Sequence, residues 1–365
     1  MVDGKRTPRS FLIPIVNLRV PRQWPVGRVV IHPGSDVERL LELAPPLDSK
    51  NDRLRDRVVQ ILGTAENGSI GEVQGCVEID DAIDALRSSL DALRLFHYSR
   101  RRSQTTSFGL PGDLYQSKIE YVSTWERSAP GGRFRGDVAG WEFDQIAADD
   151  WSNSQVFKFL SGALAHPEAN EGSRRASIGT QLFSRAATEH RRDLKMIGLA
   201  SALEAWLLRR QPGHQTLRLA RHVSWFGCGR HNDDLCGRAR PICPYLRLSP
   251  DNRADRQRLS TLRDLGNTHV AWRCSEWHQV MDWYDSRSGA AHGDPTAVNE
   301  EEASSAEFWI AHYLAEPIIE WLRTHPDDPI GDLEREVDLA ARPSRWEEML
   351  QALDAPNPPA VPPAD

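Results

Sequence analysis

The chain has 365 residues, 39% hydrophobic and 27% charged, which supplies a core and excludes a wholly disordered protein. Its formal net charge of -7 excludes a molecule that attracts nucleic acid over its whole surface. An RNA site would need a local basic patch.

The length suggests two domains. Of the 45 basic residues only five are Lys and forty are Arg, the side chain that grips phosphate or carboxylate through two parallel hydrogen bonds. The opening MVDGKRTPRS has no apolar h-region, and no run approaches the ~18 apolar residues of a membrane span. A soluble, cytoplasmic protein with no membrane partner is expected. Five cysteines in a reducing compartment argue against a disulfide framework and leave metal binding open.

In chain order, residues 1–165 read as mixed α and β. The short apolar runs 11–20 and 27–33, broken by prolines, suit strands, and residues 72–79 suit another. Asp80 or Asp81 is placed to cap a helix. Ala82, Ile83, Leu86, Leu90, Leu93 and Phe96 follow at spacings of three and four, and Arg100, Arg101 and Arg102 close it. Gly109, Pro111 and Gly112 mark a turn. Residues 117–144 are expected to hold further short strands, with the PGG at 130–132 as a loop. There is no nucleotide-binding glycine loop and no internal repeat.

The polar stretch 165–175 reads as a linker, after which long helical patterns take over. Residues 174–191 put Ile178, Leu182, Phe183 and Ala186 on one face. Residues 193–209 are apolar nearly all round, which predicts a buried helix. A shorter helix follows over 215–226. Residues 227–256 lose periodicity and form a Cys- and Arg-rich insertion. A long helix is expected from about 257 through Trp277, Val280, Met281 and Tyr284, and a last one over 301–323 with a kink at Pro317. An appended helix within 326–354 and a proline-rich, disordered tail at 355–365 complete an α+β chain: a mixed N-terminal domain, then an all-helical bundle over 170–325.

Arg287 and His292 lie near the end of the Trp277–Tyr284 pattern. RNA cleavage without metal needs a group that moves protons near neutrality and a fixed cation for the phosphorane. His and Arg supply these. The spacing alone carries little. Forty Arg and twelve His give about 1.3 such pairs by chance. Four occur: Arg185/His190, Arg209/His214, Arg273/His278 and Arg287/His292. Context favours the last, because Gly293, Asp294 and Pro295 suit a helix end. Five residues turn an α-helix through about 140°, so the two side chains share a face only if the helix bends or ends between them. Gly289 is where a bend is expected.

Three blocks in order, IGLASALEAWLL (197–208), LRLARHVSWF (217–226) and the stretch from Trp283 to Gly293, resemble the Apea-like branch of the HEPN superfamily over roughly 174–325. The resemblance implies a helical bundle that forms a homodimer, with the two Arg–His motifs facing one shared cleft. It implies a metal-independent endoribonuclease, often in toxin or antiphage defence. Arg287 and His292 become catalytic, with Glu204, Tyr284 and Ser288 in support. The alternative is a HEPN module that binds or dimerises without catalysis. Residues 1–165 would be a sensing or targeting part whose ligand or protein partner is unknown.

Cys228, Cys236, Cys243 and Cys274, with His231, are candidate ligands of a structural zinc in the irregular insertion. No Cys-x-x-Cys pair is present, so unpaired thiols remain the other reading. No cofactor is expected for catalysis. Arg230, Arg238 and Arg240 in the same loop are candidates for tracking an RNA backbone.

Overall fold

The structure is a computed structural model. It describes residues 9–16, 18–36, 39–40, 68–100, 108, 110, 122–126, 129–133, 141–142, 151–189, 191–209, 213–227, 244–268, 273–294 and 296–339. The chain divides into two compact units, Met1–Arg94 with Arg102–His166, and Leu95–Arg101 with Pro167–Asp365. The described residues are mostly helical, with one four-stranded antiparallel sheet near the N-terminus.

The first unit contains β1 (Arg9–Val16), β2 (Leu18–Arg19), β3 (Trp24–Val26), β4 (Val29–Pro33), β5 (Gly68–Cys76) and, as far as Arg94, the helix α1 (Ile79–Arg100). Sheet order is β1-β5-β4-β3, with every neighbouring pair antiparallel. Alternation sends Ile15, Trp24, Val26, Val29, Ile31 and Val73 to a buried face. Gly71 lets α1 approach that face closely, since a Cβ there would lie 2.7 Å from Leu86 Cδ1. Ala82, Leu86, Leu90, Leu93 and Phe96 are buried, as their spacing predicts, while Ile83 of the same expected face is half-buried. The helix starts one residue before Asp80, so Asp80 and Asp81 fall in its first turn rather than at its cap, where their charge still complements the dipole. The expected turn at Gly109, Pro111 and Gly112 lies outside the described residues.

β6 (Val122–Glu126) and β7 (Ala129–Arg133) form a two-stranded ribbon, and β8 (Trp141–Glu142) pairs with β2 in parallel. The PGG at 130–132, expected as a loop, is instead strand, with Pro130 opposite Trp125. A two-stranded ribbon has an open edge towards which a residue lacking an N–H can face. α2 (Gln155–Ala165) is capped by Ser154, whose hydroxyl accepts from the Phe157 amide at 3.3 Å. Its Phe157 joins Trp24 and Trp151 in an aromatic cluster with centroids 5.8–5.9 Å apart.

The second unit begins with α3 (Glu171–Thr188), capped by Asn170, and α4 (Arg192–Leu207). Ile178, expected on the inner face of α3, is exposed. Phe183 and Ala186 of the expected face are buried, and the rest of the inner face is largely small and polar, among it Ala176, Ser177, Gly179 and Thr180. The reason is proximity. A Cβ on Gly179 would lie 2.2 Å from the Trp206 indole, and one on Gly198 would lie 2.8 Å from Ala186 Cβ, so bulk is excluded on both helices. Arg175, buried in this interface, donates to the carbonyls of Ala205 (3.0 Å) and Leu208 (2.7 Å), capping the end of α4.

α5 (Gln215–Gly227), α6 (Pro244–Arg247), α7 (Arg253–Thr268) and α8 (Ser275–Ala291) follow. The long helix expected from 257 is therefore two helices, and Arg273 and His278 do not share one. Gly266 and Asn267 near the end of α7 are the breaking signal. Gly266 also admits the His278 ring, whose Nε2 would meet a Cβ at 2.4 Å. α9 (Glu300–Trp309) runs through a π-helical turn at Ile310–Ala315 into α10 (Glu316–Thr324). At Pro317, where a kink is expected, the helix carries this π turn immediately before the proline. The wider π turn ends just before the proline, which then occupies the first turn of α10, where a missing N–H leaves no bond unmade. α11 (Pro329–Leu339) docks through Arg209–Asp328 and Arg221–Asp338 ion pairs.

His222 is buried on α5 with Nδ1 2.8 Å from the Leu207 carbonyl oxygen. Burial pushes its imidazole down to about 4, and the neighbouring Arg221 and Arg218 add to this, against the pull of the Leu207 carbonyl and Asp338. The native state therefore holds His222 neutral while the unfolded chain protonates near 6.5. This stability is fully present above pH 6.5 and is lost as pH falls towards 4. We expect unfolding free energy in urea to fall by about 2 kcal/mol between pH 6.5 and 5 through this residue. His222→Gln should flatten that slope, and an unchanged slope would refute the assignment.

Candidate functional site

The site is built at the C-terminal end of α8 against α4. Tyr284 is buried between the two helices and its hydroxyl donates to a Glu204 carboxylate oxygen. Burial raises the phenol well above its ordinary range, and the Glu204 hydrogen bond adds to the effect. Tyr284 thus stays a donor at any working pH. Arg287 Nη2 lies 3.5 Å from the same Glu204 oxygen, and its Cζ sits 5.5 Å from the centre of the Tyr284 ring. The guanidinium thus has a carboxylate and an aromatic ring as neighbours, an arrangement that Arg favours over Lys. Its Nε is buried with no hydrogen-bond partner among the described residues, and 32% of the side chain remains exposed. Arg287 is therefore held by two neighbours while part of it still reaches solvent.

The helix does not bend at Gly289. It runs unbroken to Ala291 and ends on His292. Gly293, at φ +88°, donates to Ala290 (3.0 Å), and the Asp294 amide donates to Gly289 (3.0 Å). This double closure is a Schellman motif, in which glycine takes the left-handed position. Gly289 serves packing instead, since a Cβ there would lie 2.5 Å from Ala297 Cβ. Asp294 accepts from the Thr296 amide (2.8 Å) and hydroxyl (2.6 Å), which hold its carboxyl below the usual range.

The fold brings Arg287, Tyr284 and Glu204 together. It leaves His292 and Ser288 exposed near the same helix end, with His292 about 140° round the axis from Arg287. Ser286 also fastens this end by donating to Glu302 on α9, a contact for which the sequence carried no signal.

Cys274 lies at the other end of α8. Seventeen residues of helix separate it from His292, about 27 Å. Its buried thiol faces Glu276 at 3.7 Å and the Ser224 hydroxyl at 4.0 Å. Cys228, Cys236, Cys243, His231, Arg230, Arg238 and Arg240 lie outside the described residues. Both anchors of that loop sit by the N-terminal end of α8. A Cβ on Gly227 would meet Glu276 Cγ at 2.4 Å, and Tyr245 packs on Trp277 at 5.1 Å between centroids. Gly227 and Tyr245, described on either side of it, therefore lie at the end of α8 remote from His292. Among the described residues no group of three His, Cys, Asp or Glu is placed to hold a metal ion. Among them, too, no helix is long and apolar enough to cross a membrane.

No family model, curated protein or solved structure matches the chain.

Proposed function

We propose that the chain is a metal-independent endoribonuclease of the HEPN type, active as a homodimer and fitted to toxin or antiphage defence. The observation that carries this reading is the clamp on Arg287. Glu204 and Tyr284 hold a partly exposed guanidinium next to a helix end that carries an exposed histidine. Such a cation can hold two phosphate oxygens and stabilise the charge that grows as a 2′-hydroxyl attacks phosphorus. His292 then moves the protons, taking one from the 2′-hydroxyl or giving one to the leaving 5′-oxygen. The products are a 2′,3′-cyclic phosphate and a 5′-hydroxyl.

The purified protein is expected to cut RNA in EDTA, and His292→Ala to slow the cut by about 10²–10⁴-fold. Cleavage that survives His292→Ala, or that EDTA abolishes, overturns the proposal.

One observation favours a second reading, a HEPN module that binds or dimerises without catalysis. On an unbroken α8 the two side chains of one protomer point about 140° apart. RNA binding without cleavage, unchanged by His292→Ala, is the result that reading predicts.

A further inference from the structure

The first unit contains a cleft of about 330 Å³ that the proposed nuclease site does not use. Four elements wall it: the β3–β4 turn with Arg28, the end of β5 with Cys76, the first turns of α1 with Asp81 and Ser88, and the end of α2 with Leu164. Its size is at the lower end of the ~300–1,000 Å³ typical of small-molecule sites.

Three charged side chains line it, Arg28, Asp81 and Asp84, and two of them, Arg28 and Asp81, have no ion-pair partner among the described residues. Arg28 points one guanidinium nitrogen at the buried Cys76 sulfur, 3.8 Å away, and has no carboxylate partner among the described residues. Asp81, on α1, likewise has no ion pair among them, whereas its neighbour Asp84 lies 3.6 Å from Arg87. An unpaired cation and an unpaired anion face one space from different elements. Val77, Ala85, Leu164 and Ala165 supply an apolar wall between them.

We propose that this cleft binds a free aliphatic α-amino acid. The ligand's carboxylate pairs with Arg28, its ammonium pairs with Asp81, and its side chain lies on the Leu164 wall. A zwitterion satisfies both protein charges at once. A simple anion would meet Asp81, and a simple cation would meet Arg28, each at a repulsive cost. The Ser88 hydroxyl is available to either end of the ligand. The proposal does not depend on the nuclease reading.

Calorimetric titration of the full chain with L-leucine, L-isoleucine, L-valine and L-methionine tests it. At least one is expected to bind. For L-leucine, the charge-deleted analogues N-acetyl-L-leucine and 3-methylbutylamine should bind at least about tenfold more weakly. Arg28→Gln and Asp81→Asn, both at exposed positions, should each weaken binding about tenfold with thermal unfolding unchanged. No heat from any of the four at millimolar concentration, equal binding of the analogues, or full binding by either variant overturns the proposal.

Discussion

A mixture of Arg287→Ala and His292→Ala chains should regain about a quarter of wild-type RNA cleavage, although each variant alone keeps about 1% or less. The expectation follows from the geometry of α8. Arg287 is drawn towards α4 by Glu204 and Tyr284, while His292 closes the same helix about 140° round its axis. One phosphate does not reach both groups of one protomer easily. A two-fold axis near this helix end would place Arg287 of one protomer beside His292 of its partner. In a mixed dimer one of the two shared sites then holds both doubly substituted positions and is dead. The other holds the intact Arg and the intact His. Half the dimers are mixed after random exchange, and each has one live site of two. If instead each protomer uses its own pair, mixing restores nothing. Size-exclusion of differently tagged chains establishes that mixed dimers have formed. Mixed dimers without recovered activity would sink the shared-site arrangement while leaving the His292→Ala result to judge catalysis itself. Arg287→Lys is expected to recover little in the same assay. Lysine is a point charge without the planar face that lies against Tyr284 or the fork that grips phosphate.

The parts of this fold that were legible in the sequence are those where apolar periodicity sets packing. On α1 the residues expected at spacings of three and four, from Ala82 to Phe96, are buried except for the half-buried Ile83. The α3–α4 interface was not legible, because its determinant is closeness and not hydrophobicity. Ile178 reads as a core residue but is 40% exposed, while Gly179 beside it touches a buried indole. Pro317 was legible as a disturbance but not as a π turn, which depends on how α9 and α10 must continue as one rod. At the site, Arg287, Tyr284 and Glu204 were each visible as candidates. That one carboxylate oxygen serves both the phenol and the guanidinium is a tertiary fact that spacing does not encode. The Arg28–Asp81 cleft was invisible for the same reason. Its two charges are 53 positions apart in sequence and meet only through the sheet and the helix laid on it.

Gly179→Ala is expected to be the most damaging single-methyl change in the second unit. The added Cβ would lie 2.2 Å from Trp206 Cδ1 and Nε1 and 2.6 Å from Cε2, distances that no real contact adopts. Trp206 has nowhere to retreat. It is fully buried and its ring stacks on Phe183 with centroids 6.3 Å apart. Either α3 and α4 separate or the indole leaves its rotamer, and overpacking of this kind costs about 3 kcal/mol. For a unit of this size that is a fall of about 6–12 °C in Tm. The double variant with Trp206→Ala separates steric conflict from a general dislike of alanine at position 179. Alanine at 206 removes the indole atoms Cδ1, Nε1 and Cε2 that the new methyl strikes. It also gives up no hydrogen bond, because the Trp206 Nε1 is buried without a partner among the described residues. The space left by Trp206→Ala then accepts the methyl added by Gly179→Ala. The pair should be destabilised by at least about 1 kcal/mol less than the sum of the two single changes. Additive losses in urea unfolding would show that Gly179 is not required by the indole, and the close approach of α3 to α4 would need another cause.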